Sequence, residues 1–267
     1  LGYTSTNRPE FESGLDLNRW TWSRKKSLWK KPISIVTPSN WLAECVKQSQ
    51  LMKDWPVRVI PNPIDTQKWA PIEQSIAREI LGLPKGVPLI LFGAIGGGQD
   101  PRKGFDLAVK TLQILKESIS EVELVIFGQK QPKEAFDYGF TAHYMGHLHD
   151  DITLQMLYSA ADVMLVPSRQ EAFGQTASEA LACGCPVAAF DVTGLKDVVS
   201  HRVTGYLAKP FDVEDLAHGI GWLLSEQIKS NELREASRKR AESLFDSRVV
   251  AAQYIQAYRD VIAMDVP

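Results

Sequence analysis

The chain has 267 residues, 44% hydrophobic and 23% charged, with a net charge of −2 at pH 7. Such proportions suit a globular protein burying one large core or two small ones, and they exclude a disordered chain. The balanced charge gives no global nucleic-acid signal, and the longest apolar runs, such as Val87 to Ile95, fall far short of the roughly 20 residues a transmembrane helix needs. Cys45, Cys183 and Cys185 are too few and too odd in number for a disulfide framework. With no secretory-signal pattern at the start, the expectation is a cytoplasmic protein. The opening from Leu1 to Pro9 reads as loop, which suggests that the sequence begins partway through a longer protein.

Residues 17–31 carry Arg19, Arg24, Lys25, Lys26, Lys30 and Lys31 with Trp20, Trp22 and Trp29 between them. A basic helix with tryptophans can lie on an anionic membrane surface, or it can be a solvated helix whose tryptophans pack on a neighbouring domain. Nucleic acid is not expected, because no second basic or stacking element accompanies it. A short strand is predicted over 33–37, then a helix over 41–49 capped by Ser39 or Asn40, then a strand over 57–61. Composition turns polar from Glu73 to Glu79, and the domain boundary is placed near residue 72, giving segments 1–71, 72–245 and 246–267.

Beyond the boundary strands and helices alternate. Strands are predicted over 88–95, 122–127, 142–146, 162–166, 186–190 and 204–208. Helices are predicted over 104–118, 151–160, 175–183, 194–200 and 213–225, with a last one opened by Asp246 or Ser247. Apolar strands separated by amphipathic helices imply a doubly wound parallel α/β sheet, Rossmann-like, with ligands at the carboxyl ends of its strands.

The chemistry concentrates in the string from Pro167 to Pro186. Glu171 stands in a strand-end loop and Glu179, eight residues on, in the following helix. Between them the amides from Ala172 through Phe173, Gly174, Gln175 and Thr176 point out of a helix N-terminus, where an anion such as a diphosphate is favoured. Two carboxylates bracketing an anion site can accept hydrogen bonds from hydroxyls at both ends of a sugar nucleotide. Lys103 follows the first strand of the alternating segment, where a cation can neutralise a diphosphate and stabilise a departing one. Gly96 and Gly97 add free amides in the same loop, but the triple glycine there matches neither a dinucleotide fingerprint nor a P-loop.

His143, His147, His149, Asp150 and Asp151 include no zinc-type spacing, and the aspartates read as a helix cap. No metal is expected. Cys183 and Cys185 read as buried small residues at a helix stop, and neither a cysteine–histidine pair nor a serine-nucleophile elbow is evident.

The string from Glu171 to Glu179 resembles the E-x7-E signature of retaining glycosyltransferases of family 4, in the GT-B fold class. Further strings fit: Lys103-Gly-x-Asp106, Pro61-Asn62-Pro-Ile-Asp65, Leu157 to Asp162, Gly184-Cys-Pro186-Val187 and Thr204-Gly205-Tyr206. The resemblance runs from about residue 33 to 224 and implies a GT-B C-terminal domain with the tail of a truncated N-terminal, acceptor-binding domain. It also implies a last helix that crosses back to that first domain. It gives Glu171 the donor-sugar hydroxyls and Glu179 the ribose. Gly128 and the segment from Met145 to Leu148 would hold the base through backbone groups.

The implied reaction moves a sugar from a nucleotide-diphosphate donor to a carbohydrate or lipid-linked acceptor, with retention and without metal or further cofactor, in polysaccharide or glycoconjugate synthesis. This sequence departs from the family where Ala94 stands in place of a usual arginine. Either Arg102 supplies the second positive charge or the site uses one fewer. The alternatives are a sugar-nucleotide epimerase or phosphorylase of the same fold, and a non-catalytic nucleotide-sugar-binding subunit.

Overall fold

The computed structural model describes residues 2–3, 6–93, 100–132, 136–225 and 227–264, with backbone alone at 227–230 and 264. Helix α1 (Leu17–Leu28) is capped by Asp16 and buries none of its residues. Strand β1 (Ile35–Thr37), helix α2 (Asn40–Lys47) and strand β2 (Val57–Val59) follow, and the two strands pair in parallel. Ser39 caps α2 by accepting the Leu42 amide, as its place before an apolar helix predicts.

The main body runs through α3 (Gln74–Leu81), β3 (Leu89–Gly93), a 3₁₀ turn (Pro101–Lys103), α4 (Phe105–Ser118), β4 (Glu123–Phe127), β5 (Thr141–Gly146) and α5 (Asp151–Ala160). It continues with β6 (Val163–Val166), α6 (Gln175–Ala182), β7 (Val187–Phe190), α7 (Leu195–Val198), β8 (Gly205–Ala208) and α8 (Val213–Leu224), and then α9 (Gln227–Leu244) and α10 (Ser247–Met264). Six strands form one parallel sheet in the order β5-β4-β3-β6-β7-β8, the doubly wound arrangement expected from the alternating sequence. The order reverses between β3 and β6.

Strand side chains alternate between two cores, as a period of two requires. Leu89, Leu91, Val125, Phe127, Met164, Val166, Val187 and Ala189 face the core shared with α3, α5 and α6. Ile90, Phe92, Leu124, Ile126, Val163, Leu165, Ala188 and Phe190 face the one shared with α4 and α8. Cys183 and Cys185 are buried in the first core, and burial pushes the Cys185 thiol up to about 12 and raises that of Cys183.

Two helices stand where the sequence reading placed none. The inward side of α3 mixes apolar and polar groups: Ala77 and Arg78 are buried, Leu81 packs on the first core and Gln74 donates to the Ala160 carbonyl, while Ile76 and Ile80 are exposed. α9 buries Leu233, Ser237 and Ala241 at helical spacing, and its arginines reach outward to carbonyls. Arg234 donates to Ser159 and Ala161, Arg238 to Thr66, Trp69 and Ala182, and Arg240 to Asp197 and Val198. A helix fixed by arginine–carbonyl bonds shows little apolar periodicity. α10 packs Val250, Tyr254 and Ala257 against Val36 and Ile60 of the small β1–β2 unit. The two passages between this unit and the main body pair with each other, Ile64 donating to the Phe245 carbonyl and Ser247 to that of Ile64.

Candidate active site

A cleft opens at the carboxyl ends of β3 and β6, where the sheet order reverses; its walls include Gly93, Lys103, Phe127, Val166, Glu171 and Thr176. Lys103 Nζ lies 2.7 Å from Glu171 Oε1, and the Ser168 hydroxyl donates to the same oxygen at 2.9 Å. The lysine is half exposed and the glutamate largely covered, so the cation can turn toward a ligand while the carboxylate stays put. The backbone of Glu171 is held from both sides. Its amide donates to Thr193 Oγ1 at 3.0 Å, and its carbonyl accepts the Gly194 amide at 3.0 Å. Thr193 adopts φ 48°, an unfavourable conformation for a β-branched residue. Gly194 must be glycine, since a Cβ there would meet the Ala172 carbonyl oxygen at 2.5 Å.

The loop carrying Lys103 is clamped to the loop carrying Glu171. Arg169 forms two 2.7 Å bonds to the Asp106 carboxylate, donates from Nη1 to the Pro101 carbonyl at 3.0 Å, and gives its amide to the Arg102 carbonyl at 2.7 Å. The guanidinium holds the Asp106 carboxyl below its ordinary range. Gly104 completes the contact at φ 66°, where a Cβ would come within 2.0 Å of the Pro167 carbonyl oxygen. Sequence reasoning missed Arg169, Ser168, Thr193 and Gly194. Arg169 lies 63 residues from its partner Asp106, and nothing local signals that pairing.

The remaining sequence-derived candidates fall as follows. Arg102 folds back on Asp100, with bonds of 3.0 and 2.8 Å, so its guanidinium is hydrogen-bonded there while its charge still acts on Glu171. Phe173 is buried, edge-on to Phe245 at 5.4 Å, so its side chain belongs to the core and only its backbone can face a ligand. Gly174 caps α6 at φ 107°, a conformation suited to glycine, and Gln175 and Thr176 form the first turn of that helix. Glu179, a turn further in, accepts from the Tyr158 hydroxyl at 3.0 Å. Burial raises the Glu179 pKa above the ordinary carboxylate value, against lowering by the Tyr158 and Gln175 hydrogen bonds.

Gly128 closes β4 at φ 86° and donates to the Gly146 carbonyl at 2.8 Å, and Leu148 packs partly buried beside the first core. Gly96, Gly97 and Ala94 lie outside the described residues. Among the described residues no cluster of three or more metal-type side chains occurs, His143 contacts Glu123, and Asp150 caps α5.

A cation facing a carboxylate beside a helix N-terminus, at the switch point of a doubly wound sheet, can be set against known proteins. Residues 74–240 match the family model described as glycosyl transferases group 1. The chain belongs to this family. A D-inositol 3-phosphate glycosyltransferase of Xylanimonas cellulosilytica is 35% identical over 218 residues, covering 76% of this chain and 51% of that protein. Sucrose-phosphate synthase from Thermosynechococcus elongatus superposes with a TM-score of 0.75 at 28% identity, over 94% of this chain and 63% of that one. HepE of Anabaena, solved in complex with UDP and glucose, shares the fold, with a TM-score of 0.66 at 20% identity over 84% of this chain and 62% of that one. This group 1 glycosyltransferase chain spans about half the length of the first curated relatives it matches.

Proposed function

We propose that the chain carries the donor half of a retaining glycosyltransferase of family 4, taking a hexose from a nucleotide-diphosphate sugar. The Lys103–Glu171 pair at the mouth of the β3/β6 switch point carries this reading. Lys103 and the α6 amides would hold the diphosphate, Glu171 the sugar hydroxyls, and Glu179 the ribose. In transfer, the bond from the anomeric carbon to the diphosphate oxygen breaks while one to the acceptor oxygen forms on the same face. The acceptor proton passes to the departing phosphate, whose growing charge Lys103 stabilises. The acceptor would be a carbohydrate or lipid-linked hydroxyl in polysaccharide or glycoconjugate synthesis, at the cytoplasmic side of the cell.

With α1 unburied and Arg24, Lys25 and Lys26 stacked on Trp20, Trp29 and Trp22, peripheral attachment to an anionic membrane through residues 17–31 is part of the proposal. Sedimentation with anionic and neutral vesicles tests it, and equal binding to both would dismiss it.

The deciding experiment is calorimetric titration with UDP-, GDP- and ADP-glucose beside Lys103→Ala and Glu179→Ala. Binding of one donor, lost in both variants, supports the site. Binding unaffected by either substitution rejects it. Product NMR with the full-length protein then reads retention or inversion, and conversion of donor without acceptor would favour an epimerase instead.

A further inference from the structure

The segment Pro38-Ser39-Asn40 has a second role beyond capping α2. We propose that Ser39 and Asn40 form a latch by which the β1–α2–β2 unit holds the Glu171 loop in its sugar-binding position, an inference that rests on the donor site proposed above. The fully buried Ser39 hydroxyl donates to the Ala172 carbonyl at 2.7 Å while accepting the Leu42 amide at 3.3 Å, so both its donor and an acceptor lone pair are used. Asn40 engages Asp197 with two donors, its backbone amide to Oδ2 at 2.7 Å and its side-chain amide to Oδ1 at 2.8 Å.

Both anchor points adjoin Glu171. Ala172 is the next residue in the chain, and Asp197 sits on α7 directly after Gly194, whose amide holds the Glu171 carbonyl. Asp197 is tied further, its carbonyl accepting from Arg240 at 2.7 Å. The latch therefore grips the two strands of chain that meet at Glu171. One of them contains Thr193 in its strained φ 48° conformation, and such strain persists only where surrounding contacts fix it. Ser39 and Asn40 touch neither cleft wall nor ligand groups, so they are positioning residues.

A positioning role separates two parts of the donor. Lys103 and the amides of the first α6 turn, Gln175 and Thr176, serve the diphosphate and make no bond to Ser39 or Asn40, whereas Glu171, next to the gripped Ala172, serves the sugar. The test compares a nucleoside diphosphate with its sugar conjugate, UDP against UDP-glucose or the corresponding pair for the base that binds, in wild type, Ser39→Ala, Ser39→Thr and Asn40→Ala. Amide hydrogen exchange is followed without ligand.

Ser39→Ala should weaken the sugar conjugate about 2- to 10-fold, the worth of one or two hydrogen bonds, and leave the bare diphosphate unchanged. Exchange at Gly194 and over 171–174 should accelerate, and Ser39→Thr should restore both. Equal loss for the two ligands, or no change in sugar selectivity, overturns the proposal, as does unchanged exchange. If the wild type binds neither ligand, the donor-site reading fails, and exchange at Gly194 alone then decides whether the latch holds the loop.

Discussion

Two ion pairs sit at opposite ends of the same central strands and are built for different tasks. At the amino end Arg78 meets Asp162 at 2.6 Å with its side chain only 6% exposed. Its other nitrogens donate to the carbonyls of Ala160, Pro84, Lys85 and Val87, and Asp162 also accepts from the Leu89 amide and Gln74. That pair is saturated by hydrogen bonds from every side. At the carboxyl end Lys103 is 52% exposed and shares one oxygen of Glu171 with Ser168. The first pair closes the fold, and the second holds two opposite charges ready for a ligand that needs both.

The contrast breaks most sharply on the amino-end pair. Arg78→Ala leaves Asp162 buried without its partner, and the expected loss is about 3–5 kcal/mol of folding stability, read as a lower denaturant midpoint. A loss below 1 kcal/mol would mean that water replaces the guanidinium and that the two ends are not different in kind. Lys103→Ala should do the reverse. Folding stability should move by less than about 1 kcal/mol, since the half-exposed ammonium is screened by water and the covered Glu171 keeps its bond from Ser168. Donor affinity should fall about 10- to 100-fold, the worth of a charge-assisted hydrogen bond. Calorimetry and denaturation on the same preparation check both halves.

How far this could be read from the sequence follows the same divide. The doubly wound sheet was legible because its inner strands are short apolar runs punctuated by glycine or proline, and burial on both faces demands that pattern, while the edge strand β5 is more polar. Glu171, Glu179 and Lys103 could be picked out as candidates because Lys103 and Glu171 stand in loops after strands and Glu179 in the helix that follows, within continuous strings. α3 was not legible, since beside Ala77 and Leu81 its inward face also carries Gln74 and Arg78 while Ile76 and Ile80 are exposed, which blurs the apolar stripe. α9 escaped for a related reason: three arginines bonding to carbonyls do much of the holding. Phe173 was read by its neighbourhood in the motif, and only tertiary packing on Phe245 reveals it as core. The contacts that hold the backbone of Glu171 come from Thr193 and Gly194, and that on the neighbouring Ala172 from Ser39, residues distant in sequence and individually unremarkable in type.

A smaller effect sharpens how the carboxyl end is held. Arg169→Ala removes the Arg169 side-chain bonds between the Lys103 loop and the Glu171 loop, leaving the backbone bond from residue 169 to Arg102, without removing a ligand group, and donor affinity should fall about 3- to 10-fold. Arg169→Lys should not rescue it, because a single ammonium cannot reproduce the two parallel bonds to Asp106. Full rescue by lysine, measured in the same titration, would show that charge rather than geometry holds the loops together.

The smallest effect concerns Glu179, which lies in α6 and accepts a bond from Tyr158. Its folded-state pKa is raised above the ordinary 4.5 chiefly by burial, so the native state binds its proton more tightly than the unfolded chain does. The protonated form is thus the stabilising one: its contribution is complete below pH 4.5 and is lost as pH rises through the higher folded value. Glu179→Gln, which keeps an oxygen to accept from Tyr158, should remove this fall from a series of urea midpoints taken across the window. Donor binding should run the opposite way, because a ribose hydroxyl is better accepted by the ionised carboxylate, so affinity should drop as pH falls through the same window. Parallel rather than opposed pH profiles would place Glu179 with Arg78 and Asp162 among the structural groups, and not among those kept ready for a ligand.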